Sequence, residues 1–259
     1  MSLVLLDVAD GAATITLNSP RNGNAIDLEL AKELAAVLHR CESIANLRAI
    51  VVRGDGRVFC VGGDLVAIRD RRAGAAAYVR ELLGHLHEAI STMARIPVPV
   101  LASVQGAAAG AGLALACACD LAIAAQSCRF VMAYTRVGLT PDGSSSWYLP
   151  RLIGARRALE LSLLNRTLSA PDALQWGLVN EVVPDDALQS RTTQLVTELA
   201  SGPGPAFAET KRLMRTSLQD DLETQMNKEC DAICRALETR EAAIGLDAFL
   251  AKRVPTFRD

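Results

Sequence analysis

Val58-Phe59-Cys60-Val61-Gly62-Gly63-Asp64-Leu65 and Gln105-Gly106-Ala107-Ala108-Ala109-Gly110-Ala111-Gly112-Leu113 decide the reading of this chain. Each segment follows a run that reads as a strand, is built of small residues, and leads toward a helix. Small residues let backbone come close to a ligand. Amides at a helix N-terminus are free to donate and lie at the positive end of the helix dipole. Two such turns facing each other would hold the oxygen of a carbonyl as it becomes an enolate or a tetrahedral adduct. Taken singly, either segment also reads as a tight turn with close helix–strand packing. A dinucleotide site fails on spacing, since Gly110 and Gly112 are followed by Leu115 where the third glycine belongs. A phosphate-binding P-loop fails because no Gly-Lys-Ser/Thr follows either segment.

Working outward, the first segment is preceded by the β-branched run Arg48–Arg53, which ends at Gly54-Asp55-Gly56. The second is preceded by a buried strand over 100–104, set off from a helix over 75–95 by Pro97 and Pro99. Residues 3–8 and 12–17 alternate around Asp10-Gly11 and read as a hairpin. Asp27 is placed to cap a helix running to about Cys41, with Leu30, Leu34, Val37 and Leu38 on one face. A further strand fits 121–124. This alternation predicts an α/β core. Beyond about 155 the strands nearly vanish, and 155–165, 185–200, 205–218 and 220–250 carry helical spacing. Ser201-Gly202-Pro203-Gly204-Pro205 separates a core over 1–200 from a helical region over 201–259.

Composition narrows the classes. Of 259 residues half are hydrophobic and 22% charged, which suits a globular chain with a sizeable core and excludes disordered, collagenous and coiled-coil readings. A net charge of −2 gives no electrostatic reason to expect nucleic acid. The apolar stretch 113–125 is interrupted by Asp120 and too short to span a bilayer, so no membrane is expected. Seven cysteines, set mostly among Ala, Val and Leu, read as small buried hydrophobes. With no visible signal peptide, they point to a reducing, cytoplasmic location.

Phe59-Cys60-Val61-Gly62-Gly63-Asp64-Leu65 resembles the F-C-A-G-A-D-L signature of the crotonase (enoyl-CoA hydratase/isomerase) superfamily, and 105–120 resembles its N-G-x-A-x-G-G-G-x-x-L-A-x-x-C-D segment. The likeness continues through Asn24-Ala25, 136–143, 149–154, Ala173 with Gly177-Leu178-Val179, Thr210-Lys211 and the tail around Lys252-Arg253, in the family's order over nearly the whole chain. The resemblance implies a spiral of ββα units with a helical C-terminal region that builds homotrimers or dimers of trimers. It implies acyl-CoA thioester substrates, with coenzyme A part of the substrate and no other cofactor. It assigns the oxyanion donors to the amides of Gly63 and Ala111, where Ala replaces the usual Gly but keeps the amide. It places Asn24, Ala25, Cys60, Gly62, Asp64, Leu65, Ala109, Gly110, Tyr134 and Leu139 along the acyl-CoA path, and Lys211 near the nucleotide.

Hydratases of this family use two glutamates, and here those places hold Ala114 and Tyr134. Alanine has no proton to move, and a tyrosine of ordinary pKa is a poor base at neutral pH. Asp142, eight residues after Tyr134, stands where several isomerases of the family place an aspartate against the acyl chain. One carboxylate with an oxyanion hole suffices to take a proton from one carbon and return it to another. Asp142 also reads as the N-cap of a helix over 144–152. If it lies among Tyr134, Leu139 and Trp147, burial should raise its pKa. The residues therefore predict double-bond isomerisation of an enoyl-CoA. The alternatives are a 2-enoyl-CoA hydratase with non-standard catalytic groups and a non-catalytic acyl-CoA-binding member. A family dehalogenase shares part of 165–179 but needs a histidine where this chain has Ser91.

Remaining candidates are weaker. Asp64 also reads as a helix cap. His85 and His87 are two apart on a helix, and with only His39 besides they make no metal set. Cys117 and Cys119 have no second pair at ligand spacing. Arg69 to Arg72 reads as a solvated face, with coenzyme A phosphates the alternative.

Overall fold

A computed structural model describes residues 2–257. The main sheet has six strands: β1 (Val4–Ala9), β2 (Ala12–Leu17), β3 (Ala49–Gly54), β4 (Val100–Val104), β6 (Leu121–Ala125) and β9 (Glu181–Val183), in the order β1-β2-β3-β4-β6-β9. Only the β1–β2 hairpin is antiparallel. A second sheet joins β5 (Ala107–Ala109), β7 (Arg129–Val131) and β8 (Leu168–Ser169). The helices are α1 (Leu28–Glu42), α2 (Leu65–Asp70), α3 (Ala75–Arg95), α4 (Ala111–Ala118), α5 (Ser145–Ile153), α6 (Ala155–Leu164), α7 (Ala170–Trp176), α8 (Leu188–Ser201), α9 (Gly204–Thr216), α10 (Leu222–Leu237) and α11 (Arg240–Leu250).

Period-two alternation sorts β4 between two cores. Val100, Ala102 and Val104 join the main core with α1 and α3, while Leu101 packs under α8 with Ile123 and Ala125. Ser103 Oγ meets Thr192 Oγ1 of α8 at 2.8 Å, so the one hydroxyl on that face is satisfied. Helix α1 starts where Asp27 accepts from the Leu30 amide at 2.8 Å. It buries Leu30, Leu34 and Leu38 against α3, which buries Leu82, Leu86 and Ile90. Helix α4 is buried on every side, as a chain of Ala, Gly, Leu and Cys permits.

Several expectations are corrected. The second opening segment is not turn throughout, since Ala107–Ala109 pairs with β7. Short strands persist beyond 155, as β8 and β9. The helix expected over 220–250 is two, because Thr239 caps α11 by accepting from the Ala242 amide. Five cysteines are buried, but Cys230 and Cys234 lie exposed on α10.

Helix α8 runs on to Ser201, and α9, which follows it, is tied to the core by an internal charge cluster. Lys211 Nζ bonds Asp120 Oδ2 at 2.8 Å, Met93 O at 2.8 Å and Val98 O at 2.9 Å. Arg215 reaches Asp120 Oδ1 at 2.7 Å and also donates to the Tyr148 hydroxyl. Helices α10 and α11 expose Ile233, Leu237, Leu246 and Phe249. Among the described residues no helix is long and apolar enough to cross a membrane.

Candidate active site

The two opening segments are zipped together. Phe59 N donates to Gln105 O at 2.9 Å, Cys60 N to Ala107 O at 3.1 Å, and Ala109 N to Cys60 O at 2.9 Å. Gln105 Nε2 closes the back by donating to Gly54 O at 2.7 Å. Asn24, fully buried at φ +57°, braces the first segment from behind. Its Oδ1 accepts from Ser19 N, and its Nδ2 donates to the carbonyls of Asp55, Val58 and Phe59. These bonds consume the Asn24 side chain, which therefore shapes the site without facing it.

The free amides follow from this pairing. Gly62 O accepts from Ile26 N at 2.7 Å, and Asp64 N donates to Ile26 O at 3.0 Å. Alternate amides of an extended segment point opposite ways, so the Gly63 N–H points away from Ile26. It has no acceptor among the described residues. In the second segment Gly110 N donates to Val131 O at 2.9 Å, and Ala111 opens α4 as its first residue. A first-turn amide has no helical partner, and Ala111 N has no other acceptor among the described residues. A Cβ built on Gly62 would lie 3.3 Å from Ala111 N, so the two donors flank one spot.

Two glycines make that approach work. Gly62 sits at φ +100°, and a Cβ there would lie 2.8 Å from Ala109 O. A Cβ on Gly112 would collide with Cys60 O. Gly62→Ala is therefore expected to cost roughly 1–3 kcal/mol through strain alone, read as a lower urea midpoint, with activity falling further as the donors separate.

The amides open onto a cavity of about 90 Å³ lined by Leu65, Ile68, Leu82, Leu86, Val137 and Leu139, with Ile26 and Val61 at its edge. Among the described residues, only Tyr134 and Asp142 bring ionisable side chains to it. The Tyr134 hydroxyl donates to Asp142 Oδ1 at 2.5 Å. Burial raises the Asp142 pKa, opposed by the Tyr134 hydrogen bond and by His87. Tyr134 is pushed well above the usual phenol range by burial and by the Asp142 charge.

The cap reading of Asp142 is corrected. Ser144, at φ +67°, takes the N-cap place of α5 without a side-chain bond. Asp142 helps the helix only through its carbonyl, which accepts from Ser145 N and Ser145 Oγ. The carboxylate is thereby left to the cavity. Ala114 lies beneath this turn: a Cβ on Gly143 would sit 3.2 Å from Ala114 Cβ.

Other predicted residues are placed elsewhere. Asp64 accepts from Ala67 N at 2.9 Å and caps α2, which occupies its carboxylate. Lys211 is held by three acceptors, Asp120 Oδ2 and the carbonyls of Met93 and Val98, away from the cavity of Tyr134 and Asp142. Cys60 is fully buried with its thiol pushed up to about 12, which removes it as a nucleophile. Ala25 is buried beside Asn24, and Ala109 contributes backbone to the zipper. Arg71 stacks on the Tyr78 ring at 3.8 Å and Arg69 pairs with Asp70, so the arginine run is a surface network. Among the described residues no cluster of three metal-ligating side chains occurs. The sequence reading missed Ile26, whose backbone orients Gly63, and missed the Tyr134–Asp142 bond.

The sequence pattern of the family described as "Enoyl-CoA hydratase/isomerase" matches residues 7–259. The chain is 39% identical over 251 residues to the "Probable enoyl-CoA hydratase" of Rhodobacter capsulatus, covering 97% of this chain and 96% of that protein. It is 36% identical to the 1,2-epoxyphenylacetyl-CoA isomerase of Escherichia coli, covering 99% and 98%. An enoyl-CoA hydratase structure from Polaromonas sp. JS666 superposes with a TM-score of 0.93 at 34% identity, covering 98% of this chain and 99% of that one. Relatives of both reaction types thus align end to end with the two zipped segments and the strands that carry them, and the chain belongs to the enoyl-CoA hydratase/isomerase family, with its crotonase fold.

Proposed function

We propose that this protein isomerises the double bond of an enoyl-CoA thioester, with Asp142 as the proton carrier and the Gly63 and Ala111 amides holding the thioester oxygen. The observation that carries this reading is the ionisable content of the cavity: one carboxylate and one phenol. From a 3-enoyl thioester, Asp142 takes a proton from C2. The C–H electron pair moves into the carbonyl, and the resulting dienolate oxygen is held by the two amides. The carboxylic acid then returns its proton to C4, giving the 2-enoyl thioester. No atom is gained or lost. Hydration needs a second group to position water, and Ala114 and the hydrogen-bonded Tyr134 supply none.

Family membership supports an acyl-CoA as the substrate. Assembly as a homotrimer, or a dimer of trimers, through residues 201–259 is part of the same reading. It is supported by Phe249 and Leu250, which are 79% and 78% exposed in the single chain.

Ala111→Pro tests the oxyanion assignment without a large change of fold. Proline is tolerated at the first position of a helix, where its missing N–H has no helical partner. The donor is removed and the ring Cδ takes the place of its hydrogen. Turnover is expected to fall roughly 10²–10³-fold with the far-ultraviolet dichroism unchanged. Retained turnover in a folded variant would remove Ala111 from the hole.

A further inference from the structure

Tyr134 spans from one half of the site to the other. A Cβ on Gly110 would lie 3.8 Å from both Cε2 and Cζ of its ring, so the phenol rests against the segment that supplies the Ala111 donor. Its hydroxyl bonds Asp142 Oδ1 at 2.5 Å. The backbone at Tyr134 is itself tightly held. Leu139 N and Val137 N both donate to Tyr134 O, and Tyr134 N donates to Met132 O. Asp142 otherwise sits on a turn between Pro141 and Gly143, with Gly143 at φ +55°, and its second carboxylate oxygen has no hydrogen-bond partner among the described residues.

We propose that Tyr134 is the positioning residue of the reaction: its ring, seated on Gly110, sets the distance between the oxyanion donors and the proton carrier, and its hydroxyl holds Asp142 Oδ1 so that Oδ2 faces the acyl chain. The inference rests on Asp142 being the proton carrier. It adds that the carboxylate is held by a group on the opposite wall, which its own turn does not do. A base held off its productive geometry by an ångström loses rate steeply, and one donor on one oxygen leaves the other free to move a proton. The hydrogen bond also favours the ionised carboxylate, and therefore keeps Asp142 working as a base at lower pH than burial alone would allow.

Two other titratable groups bear on this pair. The His87 charge on α3 pulls the Asp142 pKa down. The Cys60 thiol also bears on Tyr134 and is itself pushed up to about 12 by burial. Asp142 itself opposes ionisation of Tyr134.

The test is the pH profile of Tyr134→Phe between pH 4 and 8. The acid limb of kcat/KM is expected to move up by about one pH unit, the size of a hydrogen bond to a charged group. At the optimum kcat should fall roughly tenfold with KM little changed, because the phenol touches the base more than the coenzyme. An unshifted acid limb in a folded variant overturns the proposal. Replacing Tyr134 with 3-fluorotyrosine keeps ring and hydroxyl and makes the phenol a stronger donor, so the limb should move down, and no movement overturns the proposal even if the Phe variant fails to fold. Asp142→Asn separates this inference from the one beneath it. If that variant turns over normally, the base is misassigned. If it is inactive while both Tyr134 variants keep the native profile, only the role of Tyr134 falls.

Discussion

Asp142→Asn is expected to lower turnover roughly 10²–10⁴-fold, the usual contribution of a positioned acid–base group, while acyl-CoA binding stays near the native value. The two amides and the apolar wall are untouched by the change, so ground-state contacts persist. The same variant should be more heat-stable at neutral pH. Burial raises the Asp142 pKa in the folded chain, so the fold binds that proton more tightly than the unfolded chain does. Stability from this group is therefore full below the unfolded value and falls as pH rises through the folded one. Asparagine is never ionised and keeps the neutral state at all pH. The stability gain should vanish in acid, below the carboxylate's ordinary range, and appear at pH 7. Native turnover runs the other way: it is lost as pH falls through the raised Asp142 pKa, because the base is then protonated. Calorimetry and steady-state assays on the pair of proteins check both signs.

The second large effect lies far from the cavity. Asp120 holds Lys211, Arg215 and the Val100 amide on its two oxygens. The Lys211 side chain is 8% exposed and that of Asp120 19%. Burial holds the Lys211 ammonium below its usual pKa, and Asp120 opposes that. Asp120→Asn leaves two buried cations without a counter-charge, which costs about 3–5 kcal/mol, a large part of a domain's usual stability. Lys211→Met removes one partner and much of the burial penalty together, so it should cost less. Urea unfolding should show Asp120→Asn/Lys211→Met more stable than Asp120→Asn alone. If Lys211 instead served a ligand from the surface, its removal would leave stability unchanged and weaken coenzyme A binding.

That lysine shows where sequence reading stops. Its spacing matched a family position, but the three acceptors that hold it come from residues 93, 98 and 120. Elements with local signals were legible. Helix α3 ends where Pro97 and Pro99 forbid continuation, and β4 falls on the run 100–104 as read. Asp27 and Asp64 both cap helices, as the sequence offered for each. Strand β5 was hidden because three alanines carry no strand preference and form one only by pairing with β7 and Cys60. The Gly63 and Ala111 segments were legible as small-residue turns before helices. Which amides stay free depends on Ile26 and Val131, long-range partners no spacing reveals. Asp142 was legible by type and place. Its release from the capping role follows from Ser144 taking the left-handed position, and its bond to Tyr134 follows from the path of residues 134–142.

The most direct test offers the purified protein 2-enoyl- and 3-enoyl-CoA thioesters of several lengths and separates the products by mass and retention. Isomerisation predicts products of unchanged mass and shifted retention, formed by the native protein and not by Asp142→Asn. Products heavier by one water would contradict the account, because the cavity would then hold a hydrating group other than Asp142 and Tyr134.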